Sequence, residues 1–290
     1  MKTRRMFKAI ANFILILCVG HSAWTSRPLD RFDVLIKNTT VVDGTGAPAF
    51  KGDIAIKGER IYALGKVSGD AGIVIDGTGL ISCPGFIDPH SHGDNGLLKF
   101  PAAENLIMQG ITTFVGGNCG QSQAPQKGLS FDQYLAMVEK TGISVNFAPL
   151  VGHNQIRSLV MGNDFKRKAT PEEISRMKEF VEEAMKSGAL GLSAGLDYYP
   201  GEYAGEEELV PLTKIAGEHG GLFVLHQRHR NSDWPGTPEE WKYGVYHGPI
   251  EDVWIGRYRG VWEALEISKK AHVPLHIAHI CNIYRIMGQH

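Results

Sequence analysis

Charge of one sign is scarce in this sequence. Its 290 residues carry 30 Lys and Arg against 31 Asp and Glu, a formal net charge of −1, with no acidic or basic block. That balance argues against nucleic acid or an anionic membrane surface as partner and favours a small molecule. Long apolar runs are also lacking. The stretch Ala9–Gly20 follows Lys2, Arg4, Arg5 and Lys8 and precedes His21-Ser22-Ala23. It falls short of the roughly 20 residues that span a bilayer, so no stable membrane anchor is expected. Residues 1–26 read instead as an export signal, which implies a periplasmic or extracellular product. Leu17 stands where a small residue would precede a lipidated Cys18, so lipidation is not expected.

Cysteine is sparse. With the signal set aside, Cys83, Cys119 and Cys281 are left, an odd number widely spaced, which implies no disulfide framework. A thiol that stays reduced after export is protected by burial or by metal. No Gly-x-Gly-x-x-Gly turn opens a helix, which ranks a doubly wound dinucleotide fold second.

What is present begins with short apolar runs at Val34–Val42, Asp53–Leu64 and Gly72–Ser82. Asp43-Gly44, Lys57-Gly58 and Asp76-Gly77-Thr78-Gly79 supply their turns. Residues 32–85 thus form a small β unit with too few strands to close a stable sheet alone. From residue 86 to 290 the pattern alternates. After a first strand ending at Ile87, the expected strands are Ile111–Gly116, Ser144–Val151, Leu190–Gly195, Gly221–His226 and Val273–Ile280. Helices are expected at Ala102–Gln109, Phe131–Lys140, Pro171–Lys186, Gly205–Glu218 and Val261–Ala271. Thr170-Pro171-Glu172-Glu173 is a strong helix start, with an N-cap Thr, Pro at the first position and an acid at the third, and Gly188 is its stop. At roughly 150 residues per domain, the length suits one large α/β domain or two smaller ones.

Strand and helix in alternation give a parallel α/β fold, and polar residues at the strands' carboxyl ends favour a (β/α) barrel. Six of eight strands are counted, so the expected architecture is an incomplete TIM-type barrel with a small N-terminal β-sandwich-like unit. Two unpaired barrel edges would invite self-association. The long connection Gln227–Gly260 holds Trp234, Trp241, Tyr243, Tyr246, Trp254 and Tyr258. It reads either as a cover over the active site or as a self-packed surface excursion.

Cys83-Pro84-Gly85-Phe86-Ile87-Asp88-Pro89-His90-Ser91-His92 ends an apolar run on two histidines that point the same way, because strand side chains alternate faces. Other predicted strand ends carry Cys119, His226 and His279. A thiolate with imidazoles suits zinc better than calcium or magnesium.

The run into His90-Ser91-His92 resembles the amidohydrolase superfamily. Gly117-Asn118-Cys119-Gly120, Leu150-Val151-Gly152-His153 and Gly188–Tyr198 resemble, within it, the N-acyl-D-amino-acid deacylases, or D-aminoacylases, from about Asp33 to Cys281. The resemblance implies a zinc-dependent hydrolase that cleaves the amide bond of N-acyl-D-amino acids. It assigns Cys119, His226 and His279 to a tight zinc site and His90 with His92 to a second, weaker one. Cys119 would replace a carboxylated lysine that many relatives carry on the fourth strand, where this chain has none. Asp88 and Asp94 would support the ligands rather than act as bases.

On the substrate side the resemblance implies Tyr198, while Cys281 stands where a lysine is usual. Arg228, two after His226, reads either as a partner for a substrate carboxylate or as a solvated loop arginine, and His153, at the end of the third strand, either as a pocket residue or as a satisfied core histidine. The family's catalytic aspartate follows the eighth strand and would lie beyond His290, so the chain is expected to be a fragment with no catalytic residue of its own. A dihydroorotase- or hydantoinase-like cyclic-amide hydrolase and a non-catalytic metal-binding remnant are the alternative readings.

Overall fold

The structure is a computed structural model that describes residues 31–228, 241–242, 245–246 and 250–279. The expected export signal, Cys18 and Cys281 lie outside these residues. The chain divides into two compact units, one through Pro84 and one from Gly85.

The first unit is a five-stranded sheet of β1 (Arg31–Val41), β2 (Phe50–Lys57), β3 (Arg60–Gly65), β4 (Asp70–Asp76) and β5 (Ile81–Ser82). β1 pairs antiparallel with β2 and parallel with β4 and β5. The single apolar run 53–64 becomes a hairpin because Gly58, at φ +58, turns the chain between Lys57 and Arg60. Its core is small, Phe32, Leu35 and Ala55. Ile73 and Val74 on β4 stay 58% and 59% exposed.

The second unit holds one six-stranded, wholly parallel sheet in the order β13-β10-β9-β8-β7-β6. These are β6 (Phe86–Asp88), β7 (Ile111–Gly116), β8 (Asn146–Gly152), β9 (Gly191–Gly195), β10 (Leu222–His226) and β13 (Leu275–Ile277). Parallel neighbours require crossovers, and helices supply most of them: α1 (Glu104–Ile107), α2 (Phe131–Thr141), α3 (His153–Met161), α4 (Pro171–Lys186), α5 (Glu206–Glu218) and α6 (Ile250–Ala271). The sheet curls as part of a TIM-type barrel.

Alternation along the strands sorts side chains into two layers. Phe114, Val151, Leu192, Ala194, Phe223 and Leu225 face the helices and join Met177, Val181, Leu209 and Leu212 in the main core. Leu150, Val224 and Ala278 form a separate cluster on the other face, with Val115 and Leu222 against it. His226 continues the series Leu222, Val224, so it too belongs to that inner face.

α4 begins as its sequence specifies. Thr170 Oγ1 accepts from Glu173 N at 3.3 Å, and Glu173 Oε2 accepts from Thr170 N at 2.8 Å. Arg167 grips the same carboxylate at 2.8 and 2.7 Å, and that hydrogen bonding, more than the cap, holds Glu173 at about 2. Thr170→Ala is expected to lower stability by about 1 kcal/mol in urea denaturation. An unchanged midpoint would mean the Arg167 clamp alone holds the helix start.

Two elements depart from expectation. α3 was not anticipated, because its buried face carries Asn154 and Arg157 beside Ile156 and Val160, which hides the apolar rhythm. The stretch 227–260 is no structureless connection, since α6 already begins at Ile250. A two-stranded hairpin, β11 (Trp241–Lys242) with β12 (Val245–Tyr246), lies within it. The expectation of a cover over the site falls largely on residues 229–240, 243–244 and 247–249, which lie outside those described.

Candidate metal centre

Strand pairing brings the five predicted donors to one end of the sheet. His226 is the last residue of β10, opposite Gly195 of β9. Beyond β13 the ladder continues through Ala278 N to Leu225 O at 2.9 Å, which sets His279 beside His226 with ring centroids 4.6 Å apart. Beyond β6, Ser91 N donates to Val115 O at 3.0 Å, so His90 and His92 flank a residue tied to β7. Cys119 follows β7 in a sharp turn.

That turn has a tight local logic. Gly117 and Gly120 both sit at φ +77. A Cβ at Gly117 would meet Leu150 O at 2.2 Å, and one at Gly120 would meet Asn154 Oδ1 at 2.0 Å. Only glycine fits either place. Cys119 between them also adopts a left-handed φ of +58. Non-glycine residues in that region cost about 1–2 kcal/mol, and such strain gathers at functional sites.

The result is two groups that share one sulfur. His90, His92 and Cys119 form the first and Cys119, His226 and His279 the second; in each, the donor atoms lie within 4.8 Å of one another. Cys119 Sγ stands 3.5 Å from His90 Nε2 and 3.4 Å from His279 Nε2. His90 and His279 stack edge to face at 4.8 Å. Burial first, and then the neighbours His279, His92 and His276, push the His90 imidazole down to about 4. It is therefore neutral at pH 7, the form that ligates metal.

His226 provides a test of fit. It is 5% exposed, and neither ring nitrogen has a hydrogen-bond partner among the described residues. Asp197 Oδ2 is the near carboxylate, 3.8 Å from Nε2. An imidazole buried in this way loses its water without replacement. A metal ion bound there would satisfy it, and a thiolate with imidazoles is a zinc donor set. The residues present fit such an ion.

The substrate-side candidates divide. Tyr198 lies against the centre, its ring 4.9 Å from that of His226 and its hydroxyl donating to Cys119 O at 2.6 Å. Arg228 is committed elsewhere. Its Nε donates to Glu263 at 2.9 Å, Nη2 to Ala204 O at 2.6 Å and Nη1 to Glu202 O. His153 does not end a strand on an open wall. It opens α3 with no exposure, and its Nε2 lies 2.7 Å from Glu208 Oε1. In both, internal partners engage the polar atoms that were expected to face substrate.

Asp88 Oδ1 accepts from His90 N at 3.0 Å, and Asp94 is buried below His92, its carboxyl pushed up by burial. A cavity of about 320 Å³ opens beside His92, walled by Leu97, Phe100, Ala103 and Leu106. Sequence reasoning passed over Asn118, Ser193 and Asp197, all buried around the donors. The available signal was position: Asn118 is next to Cys119, Ser193 is mid-strand in β9 and Asp197 lies two residues past its end.

With this geometry established, comparison with known proteins is specific. A family model described as "Amidohydrolase family" matches residues 73–222. A D-aminoacylase of Alcaligenes xylosoxydans xylosoxydans is 34% identical over 277 residues, covering 89% of this chain and 51% of that protein. The crystal structure of N-acyl-D-glutamate deacylase from Bordetella bronchiseptica, complexed with zinc and a phosphonate mimic of the tetrahedral intermediate, aligns with a TM-score of 0.73. It is 30% identical and covers 85% of this chain and 51% of that one. A D-hydantoinase structure, 19% identical with a TM-score of 0.58 over 86% of this chain and 52% of that one, shares the fold alone. The chain spans about half the length of the relatives it matches.

Proposed function

The chain belongs to the amidohydrolase family, and from that premise we propose that it serves hydrolysis of the amide bond of N-acyl-D-amino acids. The observation that carries this reading is the pair of donor groups sharing Cys119. Cys119, His226 and His279 would hold one zinc ion tightly, and His90 with His92 a second, weaker one. Bound zinc supplies Lewis acidity that polarises an amide carbonyl and acidifies water.

The chain's own residues do the rest. Neutral His90 stays available as a donor at physiological pH. Tyr198 presents an aromatic edge to the site while its hydroxyl is spent on Cys119 O. The cavity at His92 offers apolar walls to an acyl or side-chain group. Arg228 and His153 act as scaffold. The carboxylate that the family resemblance assigns to proton transfer follows an eighth strand, and six parallel barrel strands are described. The basic and then apolar amino end supports export as the route to its compartment.

Zinc titration of the purified chain is expected to show one equivalent bound tightly and a second more weakly. Failure to bind zinc overturns the reading. The substrate class is tested in a chain of the relatives' full length, with N-acetyl-D-amino acids hydrolysed and their L-enantiomers and hydantoins spared. Preference for hydantoin would move the assignment to cyclic amides.

A further inference from the structure

Cys119 can serve both donor groups only if its backbone is held in a conformation it would not choose. The turn that carries it is tied at Asn118, whose Nδ2 donates to Val115 O at 2.8 Å and Ser91 O at 3.1 Å, and further restraint comes from a neighbouring strand. β9 supplies it. Ser193 has no solvent exposure and stands on the face of β9 opposite Leu192 and Ala194, which point into the helical core. Its single hydroxyl works in both directions across the cysteine. Oγ donates to Gly117 O, two residues before Cys119, and accepts from Gly120 N, one residue after it, at 3.0 Å. From just past the same strand, the Tyr198 hydroxyl donates to the carbonyl of Cys119 itself at 2.6 Å.

We propose that Ser193 and Tyr198 are positioning residues that brace the turn in which Cys119 adopts φ +58, so that its sulfur stands between His90 and His279. The inference rests on the metal reading above. The geometry bears on it in three ways. The two hydroxyls hold the peptide between Cys119 and Gly120 at both its oxygen and its N–H, which bears on the ψ of Cys119, and Ser193 also holds the Gly117 carbonyl on the other side of the turn. Gly117 and Gly120 cannot be stiffened by side chains, because no Cβ fits there. Hydrogen bonds to the turn's peptide groups hold it instead, and those from Ser193 and Tyr198 flank the cysteine itself. Finally, hydrogen-bond partners that orient a ligand are typically worth about 10–100-fold in metal affinity.

The test uses the 290-residue chain and cobalt(II) alone, whose thiolate charge-transfer absorption reports the Cys119 sulfur directly. In the unsubstituted chain the band is expected, and Cys119→Ala removes it. Ser193→Ala is expected to bind cobalt about 10–100-fold more weakly, with a weaker or shifted band per bound ion. Tyr198→Phe, which removes one hydrogen bond at a partly exposed site, is expected to lose roughly 3–10-fold.

A Ser193→Ala chain with affinity within about twofold of the parent would overturn the inference. So would one whose affinity falls while its band per bound cobalt is unchanged, since a merely structural role would act that way. Should Ser193→Ala fail to fold, Tyr198→Phe decides by the same two criteria. Absence of the band from the unsubstituted chain would instead overturn the metal reading itself.

Discussion

Cys119→Ala is expected to lower zinc affinity at both donor groups by more than about 100-fold, beyond the 10–100-fold that outer partners are worth. The reason is its shared position. Every other predicted donor belongs to one group, while Cys119 belongs to both. His92→Ala should therefore weaken only the second, looser equivalent and leave the first. The choice of alanine isolates the sulfur, because it keeps a Cβ and so keeps the backbone cost at φ +58. A chelator competition titration measures it. Both equivalents surviving at the parent's affinities in Cys119→Ala would show that the imidazoles alone hold metal and that the sulfur is a bystander.

Glu208→Ala should be the most damaging single change to stability outside the metal centre, costing roughly 3–5 kcal/mol in denaturant unfolding. Glu208 is 1% exposed and is gripped from two sides, by His153 Nε2 at 2.7 Å and by the equally enclosed Arg157. Arg157 also donates to the carbonyls of Phe165, at 3.2 Å, and Arg167. Removing the carboxylate strands a buried guanidinium and a buried imidazole together.

Burial alone would raise the Glu208 pKa, but the His153 hydrogen bond and the charges of His153 and Arg157 outweigh it and hold the group below its ordinary value of 4.5. A carboxylate depressed in the folded state contributes its full stability above the unfolded pKa and loses it as pH falls through the folded one. The parent should therefore weaken as pH drops below about 4.5, and Glu208→Ala should lose that part of the acid dependence. Equal acid sensitivity in both chains would place the dependence on other carboxylates.

The helix start at Thr170-Pro171-Glu172-Glu173 was legible because capping is local chemistry, written within four residues and fulfilled by the capping box observed. Strand boundaries at Ile111–Gly116 were legible for a similar reason, since a run of that composition has few alternatives to a buried strand. α3 was not legible, because the residues that bury it are polar. Asn154 and Arg157 are buried only by virtue of partners at Gly195 and Glu208, some 40 and 50 residues away. Nothing in their own neighbourhood announces this. The internal partners of Arg228 and His153 were hidden on the same ground. A polar side chain near a strand end looks available until its distant partner is known.

By itself the sequence determined most element types, the parallel order that alternation imposes, and the chemistry of the donors, since imidazole and thiol are what they are in any fold. Tertiary structure alone decided which of them meet. It set Cys119 at the junction of two groups, turned Ser193 and Tyr198 onto its backbone, and closed Glu208 over His153 and Arg157. The division follows from range: capping, periodicity and turn geometry act over a few residues. Convergence at a sheet end depends on register between strands far apart in the chain, which only the packed fold supplies.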